Sequence, residues 1–238
     1  MSNILEIKNV TKMYGGLRAV SNFSTEIVEN SITGLIGPNG AGKTTLFNMI
    51  SCTHKATTGH IFYNGKDITQ IRCHEVARIG IARTFQVTKP FGDMDIIENI
   101  MVGAFLKSFD RKQTREKAMK IFELVGFSSR HDQIAHNLTT VDRKKLEVAR
   151  ALATNPDVLM LDEVMAGCNP QEKVELCHVI KDIRMTGVTV IIIEHDIKTI
   201  MSLCEKVIVL HRGEKLVEGT PEEVANDERA IQAYLGEA

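Results

Sequence analysis

The chain has 238 residues, 43% of them apolar and 25% charged, with a formal net charge of −1. That length and composition suit one α/β globular unit with an inserted lobe, which folds without disulfides or metal. Near-neutral charge gives no sign of a nucleic-acid polyanion as partner, and 5% aromatics supply no base-stacking platform, so no nucleic-acid partner is expected.

In chain order, 4–7 and 19–27 read as strands with loose alternation, and 31–36 as a short apolar strand running into a glycine-rich loop. Residues 43–51 read as a helix, then 60–63 as a strand ended by Asn64-Gly65. A further strand-like run covers 81–85. Segments 98–105, 111–125 and 139–154 carry helical spacing with no convincing strand among them. The runs 158–161, 188–193 and 207–210 are continuously apolar, as parallel strands buried on both faces are. Asn169-Pro170-Gln171-Glu172 and Thr220-Pro221-Glu222-Glu223 each carry a cap residue, Pro at N1 and Glu at N3. The fold expected is α/β: a parallel sheet core, an antiparallel N-terminal edge and an inserted α-helical subdomain at 87–155, with the core at 1–86 and 156–238.

No apolar run approaches the ~20 residues of a membrane span, and no signal peptide is read at the start. The five cysteines, at irregular spacing, read as free thiols of a reducing compartment.

Gly37-Pro38-Asn39-Gly40-Ala41-Gly42-Lys43-Thr44-Thr45 fits G-x-x-x-x-G-K-[ST] between a strand and a helix. Glycines let backbone N–H groups wrap phosphate oxygens, and the helix N-terminus adds positive charge. Lys43 is expected to reach the β- and γ-phosphates of ATP, and the Thr44 hydroxyl to ligate Mg²⁺. The run 158–161 ends in Asp162-Glu163, at the sheet edge where such ligands bind. Asp162 is placed to hold Mg²⁺, and Glu163 to take a proton from attacking water. His195, after another buried strand, is a candidate for contact with the γ-phosphate or the water. Gln86 is a candidate for Mg²⁺ or water contact. Tyr14, before Gly15-Gly16, is a candidate for stacking on adenine, although an aromatic at a strand end is also routine.

These residues, over essentially the whole chain, resemble the ATP-binding subunits of ABC transporters, which are P-loop ATPases. Tyr14 matches that family's adenine-stacking aromatic, 37–45 its Walker A motif, Gln86 its Q-loop, and 158–163 its Walker B motif with the catalytic Glu163. Ala166-Gly167-Cys168-Asn169 matches the D-loop and His195 the switch histidine. Arg83-Thr84-Phe85-Gln86, the stretch 95–104, 161–167 and the ending Ala233-Tyr234-Leu235-Gly236 look like ATPases of branched-chain amino acid importers. The resemblance implies ATP and Mg²⁺ as ligands and a peripheral position on the cytoplasmic face of the cell membrane. As partners it implies transmembrane permease subunits, a second ABC ATPase subunit and, indirectly, a solute-binding protein.

One stretch departs from the family. Its signature, usually Leu-Ser-Gly-Gly-Gln, aligns with Leu138-Thr139-Thr140-Val141-Asp142. There Val141 adds bulk and Asp142 negative charge beside an expected phosphate, while Thr139 and Asp142 also fit a capping pair. The departure favours a heterodimer with unequal ATP sites over a homodimer. A lipid or other-solute transporter, a soluble ABC ATPase and a non-hydrolysing regulatory subunit remain as alternatives.

Overall fold

A computed structural model describes residues 2–84 and 90–235. The chain divides into two compact units, Met1–Val76 with Thr189–Ala238, and Ala77–Val188.

In the first unit, β1 (Asn3–Tyr14), β2 (Leu17–Val28), β4 (Thr58–Tyr63) and β5 (Lys66–Asp67) form an antiparallel sheet ordered β2-β1-β4-β5. Asn64 and Gly65, both at positive φ (47° and 73°), make the turn from β4 into β5. The other strands lie in the order β10-β9-β3-β8: β3 (Ile32–Ile36), β8 (Thr189–Ile193), β9 (Lys206–His211) and β10 (Glu214–Gly219). β3 runs parallel to both β8 and β9, with Leu35 opposite Ile193 and Ile36 opposite Val209. Every residue of β3 and β8 is buried, and apart from Thr33, Gly34 and Thr189 the two strands are Ile, Leu and Val. Helix α1 (Lys43–Ile50) follows β3, and α7 (Ile197–Leu203) follows β8. A Cβ at Gly34 would lie 2.9 Å from the Ile200 side chain, so the missing side chain is what lets α7 sit on β3.

Helix α2 (Cys73–Ile79) leads into the second unit. There β6 (Ile81–Arg83) and β7 (Val158–Asp162) pair in parallel, with Arg83 opposite Met160. Between them come α3 (Ile96–Ala104), α4 (Arg111–Val125) and α5 (Thr140–Ala153), which pack on one another. Among the described residues of 90–155 no strand forms, as the helical spacing indicated. A Cβ at Gly103 would lie 2.2 Å from the Arg150 carbonyl oxygen, so α3 and α5 touch backbone to backbone. Helix α6 (Pro170–Met185) opens on Asn169, whose side chain and that of Glu172 cap each other's backbone N–H. Thr220 and Glu223 do the same at α8 (Pro221–Ala225), which precedes α9 (Glu228–Leu235).

Candidate functional site

The glycine-rich loop leaves β3 at Gly37 (φ 153°) and enters α1 through Gly42 (φ 104°). A Cβ at Gly37 would sit 2.1 Å from the Leu210 carbonyl oxygen, and one at Gly42 2.6 Å from that of Ala19. Only glycine fits at both ends of the loop. Ala41 is buried and its carbonyl accepts from Gly213 N–H at 3.0 Å, whereas Asn39 and Gly40 are exposed. The first intrahelical bond of α1 runs from Leu46 N–H to Gly42 at 2.9 Å. The N–H groups of Lys43, Thr44 and Thr45 thus precede the ladder, at the positive end of the helix dipole. No side chain caps this end and no acidic residue stands in its first turn. Lys43 Nζ, almost fully buried, donates to the carbonyls of Gly37 (2.6 Å) and Pro38 (2.9 Å). Thr44 is exposed and Thr45 half-buried. An unblocked helix end, left-handed glycines and an ammonium inside the arch make a phosphate cradle.

His195 lies two residues beyond β8, and the β3–β8 register brings it to the sheet edge where Gly37 begins the loop. Its side chain is exposed, while Glu194 is buried and Asp196 caps α7 through Thr199 N–H. Tyr14 ends β1, 41% exposed. Its hydroxyl is 2.6 Å from His54 Nδ1, and Lys12 Nζ stands 5.0 Å from the ring centre. These two contacts, absent from the sequence reading, fix the ring and give it a cationic neighbour.

In the second unit, Asp162 closes β7 with 2% of its side chain exposed. Arg83 Nη2 donates to its Oδ2 at 2.6 Å, and Asp162 N–H donates to Thr84 Oγ1 at 3.1 Å. Sequence reasoning missed Arg83 as a site residue; the signal was its place three residues before Gln86. Gln86 itself lies outside the described residues. Glu163 is half-buried and takes φ 52°, a left-handed conformation unusual for a side chain of this size. Asn169 is engaged as the α6 cap.

The signature segment meets α5 as its capping pattern indicated: Thr139 Oγ1 accepts from Asp142 N–H at 3.2 Å. Leu138, Val141 and Asp142 are buried, while Thr139, Thr140 and Arg143 are exposed. The Asp142 carboxylate is fully buried and accepts from Ser128 N–H (3.3 Å), Ser128 Oγ (2.9 Å) and Ser129 Oγ (2.5 Å). The bulk and the charge that depart from the family pattern therefore point into the lobe, and the threonines face out.

Mg²⁺ prefers hard oxygen donors and keeps several waters and phosphate oxygens, so it needs no protein cage. A threonine hydroxyl and one aspartate carboxylate fit that donor set. Among the described residues no cluster of three His, Cys, Asp or Glu side chains is gathered for a metal, and none is needed for such a site. No helix among them is long and apolar enough to cross a membrane.

A family model described as ABC transporter matches residues 20–166, and one described as branched-chain amino acid ATP-binding cassette transporter matches 214–238. The high-affinity branched-chain amino acid transport ATP-binding protein LivG of Salmonella typhimurium is 39% identical, over 99% of this chain and 98% of its own. The lipopolysaccharide export system ATP-binding protein LptB of Haemophilus influenzae is 36% identical over the same shares. A solved nucleotide-free ATP-binding cassette from an ABC transporter superposes with a TM-score of 0.90 at 30% identity, over 99% of this chain and 100% of that one. With the phosphate cradle after a buried β3, these likenesses place the fold among P-loop NTPases, and the chain belongs to the ABC transporter family as an ATP-binding cassette ATPase.

Proposed function

We propose that the chain is the ATPase subunit of an importer for branched-chain or related amino acids, bound peripherally to permease subunits at the cytoplasmic face of the cell membrane. The observation that carries this reading is the near full-length likeness to LivG, joined to the match of 214–238 with the branched-chain model. Residues 87–155 would be the helical subdomain, and 1–86 with 156–238 the catalytic core.

Lys43 and the N–H groups that open α1 hold the β- and γ-phosphates, and Tyr14 stacks on adenine. Thr44, Asp162 and Gln86 would hold Mg²⁺, which neutralises phosphate charge when bound. Glu163 takes the proton of the attacking water, and His195 stands beside the γ-phosphate. ATP binding favours the closed dimer, and that preference biases the permease. Leu138, Thr139 and Asn169 would meet the nucleotide held by the second ATPase. Thr140 and Val141, standing where the family carries glycines, support a heterodimer with unequal sites, the partner's phosphate loop facing the weaker one.

The likeness to LptB supports a second reading, a lipid export ATPase. Purifying the tagged chain from detergent-solubilised membranes of its host separates the two. Two permeases and a different ATPase, with amino-acid-stimulated turnover after adding a solute-binding protein, support the importer. Recovery with lipid-export components, or of the chain alone, overturns it.

A further inference from the structure

We propose that Arg83 is a positioning residue for the metal carboxylate Asp162; this rests on the reading of Asp162 as the Mg²⁺-holding group. The two side chains are 8% and 2% exposed, with Nη2 to Oδ2 at 2.6 Å. Among the described residues this is the one side-chain hydrogen bond of Asp162, so Oδ2 is tied and Oδ1 carries none. A carboxylate buried this deeply is costly without a hydrogen-bonding partner, and the partner orders it. The guanidinium supplies that charge while leaving one oxygen for a metal or its water.

The backbone frames the same contact. β6 and β7 pair in parallel up to Arg83 opposite Met160, Thr84 N–H donates to the Met160 carbonyl at 2.9 Å, and Asp162 N–H donates to Thr84 Oγ1. Arg83 and Thr84 thus hold the carboxylate's side chain and its backbone from the adjacent strand. Residues that orient a metal ligand from behind set metal affinity without touching the metal.

The test titrates Mg²⁺ against a fluorescent ATP analogue bound to the full chain, comparing wild type, Arg83→Gln, Arg83→Lys and Asp162→Asn. Arg83→Gln is expected to raise the Mg²⁺ concentration at half-saturation roughly tenfold or more while leaving metal-free analogue binding unchanged. Arg83→Lys, which keeps the charge, restores part of the loss and stays testable should Arg83→Gln fail to fold. If Asp162→Asn shifts the Mg²⁺ requirement and neither Arg83 variant does, or if they tighten it, the role of Arg83 is overturned while the reading of Asp162 stands. If Asp162→Asn also leaves the requirement unmoved, the reading of Asp162 falls with it.

Discussion

Glu163 carries a backbone conformation that a glutamate adopts at a cost of about 1–2 kcal/mol. The strand behind it is buried throughout and fixes where Glu163 leaves the sheet, so the turn is imposed at that residue. Glu163→Gln keeps the strained backbone and removes the base. Turnover should fall by roughly 10²–10⁴-fold with ATP binding retained, and wild-type-like phosphate release would remove Glu163 from its role. Glu163→Gly removes base and strain together, so the unfolding free energy in denaturant should rise by about 0.5–1 kcal/mol. A fall in stability would mean that the side chain contributes more than the turn costs. The acidic pair was legible because an apolar run ended on it. Arg83 was not, because its contact depends on strand pairing across 79 residues, which no local pattern encodes.

Helix ends were the most legible elements. The 111–125 pattern matches α4, which starts on the Asp110 side-chain cap and stops at Gly126 in the left-handed region (φ 63°). Less legible were α2, only seven residues long, the two-residue β5, and β10, whose Glu, Lys and Glu leave no buried run to read. At α5 the cap was readable but the destination of its acidic residue was not, since Ser128 and Ser129 reach Asp142 from the loop after α4. Asp142 therefore ties the α5 N-terminus to that loop and presents no charge outward. Asp142→Ala removes the three hydrogen bonds that the exposed Ser128 and the half-buried Ser129 donate to a buried carboxylate, and should destabilise the protein by about 1–2 kcal/mol. The check is the urea midpoint at unchanged slope, and a change below about 0.5 kcal/mol would return Asp142 to the signature surface.

At the scale of the molecule, the parallel core and the antiparallel edge were readable as separate patterns, but the seam joining the two sheets of the first unit was not. It is built by Thr25 of β2, Lys206 of β9, and Lys215 and Glu218 of β10, up to 193 residues apart, around a polar cavity of about 320 Å³. Glu218 accepts from Thr25 Oγ1 at 2.9 Å and Lys215 Nζ at 2.5 Å, and pairs with Lys206; each lysine also donates to a β2 carbonyl. Burial by itself would push the Glu218 carboxyl up. The bonds from Lys206 and Lys215, the Lys206 charge and the Thr25 hydroxyl outweigh it and hold the group below its ordinary 4.5. A carboxylate whose folded pKa is depressed adds stability above its unfolded pKa, and loses it as pH falls through the folded value. Glu218→Gln should therefore destabilise the chain by about 1–2 kcal/mol at pH 7, where the charge-assisted bonds are complete. The gap between wild type and variant should narrow only below about pH 4.5, as wild-type Glu218 takes up its proton. Denaturant unfolding of both proteins from pH 7 to pH 3 measures it. A gap that stays constant across that range would mean that the seam is held by packing and not by this charge.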